Sequence, residues 1–302
     1  MNTLLTGATG LLGSYIVKAW RRRGNLIGLY SGNYKIEDKE IPYYICDVRD
    51  NKLESIFRKH KIDSVIHTAG ESRVDFCERN YEHAYSTNVT GTKNIIELCK
   101  RHKSRLVYVS TNAVFDGTKP PYRETDTPNP INTYGRIKLE CEKLVREASD
   151  NFLIIRPILM YGWNNPKERE NIATWLLRKL KNNEQILLVD DIYDNMLYAL
   201  ECADSLLKLA EESKGNVYHI AGKDILNRYQ FGLKLAEIFG YDKNLIKPVK
   251  NSFFKEIAPR PKNTSYDTAK LEKELKARLM GVEAGLSAMF KEKNCARQEA
   301  VI

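Results

Sequence analysis

A glycine-rich turn near the amino terminus constrains the fold of this chain more than any other feature of its sequence. The apolar stretch Asn2–Thr6 is a predicted strand, and it is followed at once by Gly7-Ala8-Thr9-Gly10-Leu11-Leu12-Gly13 and an amphipathic helix. Glycines in this position let the backbone turn sharply and approach a pyrophosphate, whose charge the helix N-terminus stabilises. We therefore predict a dinucleotide site here. Its predicted contact residues are Gly7, Thr9, Gly10, Leu11, Leu12 and Gly13.

Beyond the turn, short apolar runs alternate with longer amphipathic stretches, which is typical of β-α units around a parallel sheet. The predicted strands are Asn2–Thr6, Leu26–Tyr30, Tyr43–Cys46, Ser64–His67, Leu106–Ser110 and Phe152–Arg156. The predicted helices are Leu11–Arg23, Lys52–His60, Tyr81–His102 and Thr133–Ala148. We predict an α/β fold with a Rossmann-type, doubly wound parallel sheet.

After Pro157 the alternation of predicted strands and helices changes. The predicted helices there are Ile172–Leu180, Asn195–Glu211 and Arg228–Phe239, and the predicted strands are Ile186–Val189 and Val217–Ile220. We expect residues 1–158 to form the NAD(P)-binding domain and residues 159–302 to form mainly a smaller C-terminal substrate-binding lobe. A segment at about 190–212 is expected to return to the first domain.

Composition excludes several classes of protein. Of the 302 residues, 42% are hydrophobic, which is enough for a substantial core, and no apolar run has the length needed to span a bilayer. The first residues lack the layout of a signal peptide, so we expect a cytoplasmic protein. The net charge of +9 is dispersed along the chain, which argues against nucleic acid as a partner, and the six cysteines lack metal-site spacing.

Small and polar residues at the ends of the predicted strands extend the cofactor site. Parallel sheets bind ligands at the carboxyl ends of their strands, and the candidates there, together with one helix residue, are Ser31, Asp47, Val48, Thr68, Ala69, Gly70 and Asn88. An acidic residue at the end of the second strand would hold the ribose 2′-hydroxyl of NAD. The sequence after Tyr30 is Ser31-Gly32-Asn33, with no carboxylate before Glu37, so NADP (as NADPH) is favoured over NAD.

Three residues suggest the chemistry. Thr111 follows the fifth predicted strand, while Tyr134 and Lys138 are four residues apart and share a helix face. An ammonium beside the phenol would lower the pKa of Tyr134, which would then protonate a carbonyl oxygen held by Thr111 as a nicotinamide reduces the carbon. Lys138 would also hold the nicotinamide ribose, and Tyr134 is expected to contact the cofactor as well. Tyr266 and Lys270 have the same spacing, but we interpret them as a helix start without a catalytic role.

The longest motif carries a resemblance to a known family. The run from Val109 to Tyr122, VSTNAVFDGTKPPY, with YGRIKL from Tyr134, resembles the dTDP-4-dehydrorhamnose reductases, which are extended short-chain dehydrogenases. Further matches are Thr6–Gly13, Val74-Asp75, Val189-Asp190-Asp191, Arg260-Pro261-Lys262-Asn263 and Asp267. The resemblance implies a nucleotide-sugar 4-keto substrate, NADPH or NADH as cofactor, and a Thr-Tyr-Lys triad formed by Thr111, Tyr134 and Lys138.

Departures from the family pattern leave other functions open. The family usually has Asp-Tyr where this chain has Asn112-Ala113, often has Trp at the position of Leu159, and commonly has Pro-Thr where Met196-Leu197 stand. The sugar is therefore not fixed by the sequence. A related epimerase or dehydratase is one alternative, although Asn112-Ala113 lacks the Asp-Glu pair usual in dehydratases. The other is a non-catalytic, NADP-binding partner protein similar to the regulatory beta subunit of methionine adenosyltransferase. A homodimer also stays open.

Overall fold

The computed structural model describes residues 1–20, 23–32, 36, 38, 40–213, 215–255 and 257–299, with the side chains of the last helix described as far as Glu292. Asn33 and Glu37, on which part of the cofactor prediction rests, lie outside the described residues. The strands are β1 (Asn2–Thr6), β2 (Asn25–Tyr30), β3 (Tyr43–Ile45), β4 (Ser64–His67), β5 (Arg105–Val109), β6 (Phe152–Pro157), β7 (Met160–Tyr161), β8 (Ile186–Val189), β9 (Tyr193–Asp194), β10 (Leu197–Tyr198), β11 (Asn216–Ile220), β12 (Leu226–Asn227) and β13 (Ile246–Val249). The α-helices are α1 (Leu11–Ala19), α2 (Leu53–His60), α3 (Val74–Arg79), α4 (Tyr81–Tyr85), α5 (Gly91–His102), α6 (Thr133–Ala148), α7 (Ile172–Lys181), α8 (Ala199–Glu212), α9 (Arg228–Phe239), α10 (Ala269–Leu275) and α11 (Val282–Glu299).

Seven strands form the central sheet in the order β11-β6-β5-β4-β1-β2-β3, and every neighbouring pair is parallel. The predicted Rossmann-type sheet is confirmed. The chain winds outward in one direction from β1 to β3 and in the other direction from β4 to β6. The order therefore reverses between β1 and β4, and their carboxyl ends border the crevice in which such sheets bind ligands.

Both faces of the sheet are covered, and β1 shows how the sequence achieves this. Leu4 packs with the core that includes Phe57 of α2, whereas Leu5 packs with the core that includes Ile16 of α1. Successive side chains of a strand point to opposite faces, so an unbroken apolar run is what a doubly covered strand requires. Each of these residues is fully buried, and burial of such a side chain contributes about 1.5–3 kcal/mol.

Two predicted helices differ from the structure. The predicted helix over 81–102 is divided by a π-helical turn at Ser86–Thr90, within which the Asn88 amide donates to the Ala84 and Glu71 carbonyl oxygens. The predicted start at Asn195 was wrong. The helix begins at Ala199, because Leu197–Tyr198 instead pairs with Met160–Tyr161 as a short strand.

Two smaller differences concern helix ends. The first helix ends at Ala19, with the Trp20 N–H bonded to the Val17 oxygen, and residues 21 and 22 of its predicted range lie outside the described part of the chain. Tyr266 does not begin a helix, since α10 starts at Ala269.

Past residue 158 the chain forms further helices and short two-stranded sheets, and it also returns to the central sheet. Strand β11 pairs with β6 in parallel, and α8 packs against α1. The remaining short strands pair as β7 with β10, β8 with β13 and β9 with β12. The division at residue 158, with a return at about 190–212, stays a prediction. None of the described helices is long and apolar enough to cross a bilayer.

Candidate functional site

The glycine turn between β1 and α1 is built so that side chains are excluded at two points. Gly7 has φ +68°, and a Cβ there would lie 2.7 Å from Thr68 Oγ1 and 2.9 Å from the Ala69 nitrogen. A Cβ on Gly13 would lie 2.1 Å from the Gly7 carbonyl oxygen. The turn therefore folds back tightly on the end of β4, and α1 packs directly on the turn.

The start of α1 presents polar groups to the crevice. Gly10 precedes the helix without a side-chain cap, and the first intrahelical bond runs from the Ser14 N–H to the Gly10 oxygen. The N–H groups of residues 11–13 precede that bond and point outward from the helix. Leu12 is buried, whereas Leu11 is only partly buried. Free N–H groups at a helix start can bind a phosphate anion, and the pyrophosphate site expected from the sequence stays a prediction.

Thr6 and Thr68 fasten the turn to β4. Thr68 Oγ1 donates to the Thr6 carbonyl oxygen at 2.6 Å, and Thr6 Oγ1 accepts from the Ala69 N–H at 3.2 Å. Thr6 Oγ1 also lies 2.7 Å from His67 Nδ1. Burial, reinforced by the charge of Lys138, lowers the pKa of His67 to about 3, so this imidazole stays neutral. The predicted residues Thr68, Ala69 and Gly70 therefore lie beside the turn.

Asn88 and Gly70 form a second close contact. A Cβ on Gly70 would lie 2.4 Å from Asn88 Oδ1. The Asn88 amide nitrogen is used by the Glu71 and Ala84 carbonyl oxygens, at 3.2 and 2.9 Å. Asn88 therefore ties the segment after β4 to the helical layer.

At the other end of the crevice, Asp47 follows β3 and pairs with Arg49. Arg49 donates through Nε at 2.8 Å and through a terminal nitrogen at 2.6 Å, and these bonds hold the pKa of Asp47 below its usual range. A further Arg49 nitrogen reaches Ser86 Oγ at 3.2 Å. Val48 is buried and Ser31 is exposed at the end of β2. The sequence reasoning missed Arg49, whose position two residues after Asp47 was its only signal.

Thr111 and Tyr134 meet at the carboxyl end of β5. Helix α6 begins beside this strand end because Asn132 caps it, with Asn132 Oδ1 accepting from the Gly135 N–H at 2.9 Å. The hydroxyl of Thr111 lies close enough to the Tyr134 phenol to affect its ionisation. Burial raises the pKa of Tyr134 to about 12, while the interaction with Thr111 and the charge of Arg169 act in the opposite direction.

Lys138 is placed differently from the expectation. Its ammonium donates to the Val109 carbonyl oxygen at 2.7 Å and lies 4.2 Å from the centre of the Tyr108 ring. Burial lowers the pKa of Lys138 to about 8. The predicted lowering of the Tyr134 pKa by Lys138 was wrong for this arrangement, because the ammonium is directed at β5 and burial dominates at the phenol.

A buried ion pair lies one turn further along α6. Arg156 of β6 donates to both carboxylate oxygens of Glu142, at 2.8 and 2.6 Å, and both side chains are almost fully buried. A third Arg156 nitrogen lies 3.3 Å from His219 Nε2, and the His219 ring stacks on Tyr266 at 3.8 Å. This network connects the helix that carries Tyr134 and Lys138 to the sheet.

The positions that depart from the family pattern connect the sheet to the later part of the chain. Asn112 donates to Thr264 Oγ1 at 2.7 Å and to Asp194 Oδ1 at 3.4 Å. Leu159 accepts from the Leu197 N–H at 3.0 Å, so two of the departing positions contact each other. Neither pairing has a local signal in the sequence, because the partners are far apart along the chain.

Among the described side chains, no cluster of three or more His, Cys, Asp or Glu residues could hold a metal ion. Five cysteines are free and buried, and the side chain of Cys295 lies outside the described part.

Comparison with known proteins identifies the family. The sequence pattern of the RmlD substrate binding domain matches residues 1–295. The chain belongs to this family. Among its relatives, a probable low-salt glycan biosynthesis reductase of Haloferax volcanii is 29% identical over 294 residues, covering 96% of this chain and 97% of the relative. The methionine adenosyltransferase 2 subunit beta of Xenopus tropicalis is 30% identical over 278 residues, covering 89% of this chain and 81% of the relative.

Solved structures agree with the family assignment. A dTDP-4-dehydrorhamnose reductase from Bacillus anthracis in complex with NADP superimposes with a TM-score of 0.83 at 25% identity, covering 96% of this chain and 99% of that one. A hypothetical dTDP-4-dehydrorhamnose reductase from Sulfolobus tokodaii gives 0.79 at 31% identity, covering 90% and 94%. A UDP-glucose 4-epimerase from Thermotoga maritima gives 0.86 at 21% identity and shows the shared fold.

Proposed function

We propose that this protein reduces a 4-keto group on a nucleotide-linked deoxysugar with NADPH or NADH. The observation that carries the proposal is the pair of neighbouring hydroxyls, Thr111 and Tyr134, at the carboxyl end of the same sheet that carries the glycine turn. The Haloferax and Bacillus relatives are named as reductases, which supports this class of reaction.

The residues at the carboxyl ends of the strands can be assigned to the parts of a dinucleotide. The glycine turn and the start of α1 would hold the pyrophosphate, Asp47 and Val48 would border the adenine, and the segment from Thr68 to Gly70 would line the middle of the crevice. Lys138 would hold the nicotinamide ribose. The bound nicotinamide supplies a hydride to the carbonyl carbon. NADPH is favoured because the two residues directly after β2, Ser31 and Gly32, carry no carboxylate, and the Bacillus reductase is a complex with NADP.

The proton comes from the protein. A phenol with a pKa of about 12 is protonated at neutral pH, so Tyr134 is suited to donate rather than to accept a proton when the carbonyl oxygen becomes negative. Thr111 would donate a hydrogen bond to the same oxygen and position it. The product is an alcohol, and the Tyr134 phenolate recovers its proton from solvent.

The test follows cofactor absorbance with a panel of nucleotide-linked 4-keto sugars, using NADPH and NADH in parallel. We expect Tyr134→Phe to lose about 10²–10⁴-fold in kcat/KM, with unchanged binding of the dinucleotide. A wild-type protein that oxidises neither cofactor with any of the sugars would refute the proposal. A fully active Tyr134→Phe variant would refute only the assignment of the proton donor.

One alternative has specific support. The 30% identity to the methionine adenosyltransferase beta subunit favours a binding protein as the second candidate. This candidate predicts a stable complex with a synthetase in gel filtration, dinucleotide binding, and no turnover of any keto sugar. A related epimerase is the third candidate, and it would convert sugar without net consumption of cofactor.

A further inference from the structure

The loop between β7 and α7 reaches the glycine turn. Thr9 Oγ1 donates a hydrogen bond to Glu168 Oε1 at 2.6 Å, across 159 positions of sequence. Thr9 is buried, and Glu168 is partly buried. A carboxylate of the protein is thus bound on the turn that the proposed function assigns to a pyrophosphate.

The loop holds this carboxylate in place through its own hydrogen bonds. At its base, Asn171 Nδ2 donates to the Gly162 oxygen at 2.7 Å, and the capping box of Asn171 starts α7. Near its tip, the Glu168 N–H donates to the Asn165 oxygen at 2.8 Å. Asn164 Nδ2 donates to the Glu168 carbonyl oxygen at 3.3 Å. The contact with Thr9 is therefore made by an ordered turn.

The carboxylate and a pyrophosphate require the same environment. Both are anions that accept hydrogen bonds, and both are stabilised by the positive end of the α1 dipole. Two like charges a few ångströms apart repel strongly at a partly buried site. Glu168 and a pyrophosphate therefore exclude each other from the Thr9 hydroxyl.

We propose that Glu168 sets the affinity of the dinucleotide site by competing with the pyrophosphate for Thr9 and the start of α1. Binding of the dinucleotide displaces the carboxylate, and the loop that carries it moves away from the turn. The next residue, Arg169, is exposed, and its positive charge lowers the pKa of Tyr134, so the loop also acts on the phenol electrostatically. This inference rests on the proposed dinucleotide site.

The experiment measures dinucleotide binding by isothermal titration calorimetry, with NADPH and NADP⁺ and without any sugar. The variants are Glu168→Gln, which removes the charge, and Glu168→Ala, which removes both the charge and the hydrogen bond. Glu170→Gln is the matched control, because Glu170 belongs to the same loop but pairs with Arg178, at 2.8 and 3.0 Å.

We expect Kd to fall about tenfold or more in both Glu168 variants, which corresponds to about 1.4 kcal/mol per tenfold, and to stay within about twofold of wild type in Glu170→Gln. Glu168 variants that bind as weakly as wild type, or more weakly, would overturn the inference while leaving the dinucleotide site intact. If wild type and all variants bind neither cofactor, the proposed function itself fails.

Discussion

Gly10 and Gly13 belong to the same turn but face different surroundings, and this difference gives a sharp prediction. A Cβ on Gly13 would lie 2.1 Å from the Gly7 oxygen and 2.9 Å from two backbone atoms of Ala8, so the backbone itself would have to move. Overpacking of this kind destabilises by about 3 kcal/mol at the upper end of its range. Alanine recovers about 1 kcal/mol of helix propensity. We expect Gly13→Ala to lower the free energy of unfolding by about 2 kcal/mol.

Gly10→Ala should weaken dinucleotide binding with little effect on stability. The nearest atom to its Cβ is the Gly7 oxygen at 3.4 Å, so no clash arises, and loss of the preferred glycine cap costs about 1 kcal/mol or less. Glycine at this position of such a turn lets the backbone approach a pyrophosphate, and the added methyl group would obstruct that approach. We expect weaker dinucleotide binding in Gly10→Ala with nearly unchanged stability.

Thermal unfolding and calorimetric titration separate the two effects. For a chain of 302 residues, the entropy of unfolding converts 2 kcal/mol into a decrease of about 3 °C in Tm. Gly13→Ala should show this decrease, and Gly10→Ala should lose less than about 2 °C while its Kd for NADPH rises. The reasoning would be refuted by a Gly13→Ala protein as stable as wild type, or by a Gly10→Ala protein that is the less stable of the two.

Three further predictions concern buried charges. Glu142→Gln should lower the free energy of unfolding in urea by about 3–5 kcal/mol, because it leaves the Arg156 guanidinium buried beside a neutral partner; a loss under 1 kcal/mol would contradict this. Burial raises the pKa of Glu201 to about 7, whereas its pKa in the unfolded chain is about 4.3. The free energy of unfolding is therefore highest below about pH 4.3 and decreases as the pH rises through 7. Glu201→Gln should therefore unfold at higher temperature than wild type at pH 8, and an equal difference at pH 4 would exclude this cause. Burial lowers the pKa of Lys138 to about 8, so kcat/KM of the proposed reaction should fall above pH 8 as the ammonium is lost. If kcat/KM stays unchanged up to pH 10, Lys138 has no role in the reaction.

The strands of the central sheet were largely predictable, for a physical reason. A parallel strand with both faces covered must be apolar along its length, and β1, β4 and β6 are short apolar runs bounded by polar residues. The pairing of β7 with β10 was not predictable, since each contains only two residues and has no periodic pattern. The false helix start at Asn195 followed from that missing signal.

The candidate site also has some features that the sequence predicts and others that it does not. The glycine turn and the Tyr134–Lys138 spacing are local patterns, so both are recognisable from neighbouring residues in the sequence alone. The contact of Thr9 with Glu168, and the choice of the Val109 carbonyl by Lys138, arise from the packing of distant segments. Burial, which raises the pKa of Tyr134, also has no local signature.

Strand β11 lies at the edge of the central sheet although the chain reaches it only after building β7 to β10. A fragment ending at residue 158 would leave the hydrogen-bonding groups of β6 open along one side and would uncover the surface of α1 that α8 protects. Such a fragment should aggregate rather than fold alone. In the intact chain, residues synthesised late complete the central sheet and cover α1, so we expect the amino-terminal and carboxyl-terminal parts to unfold together.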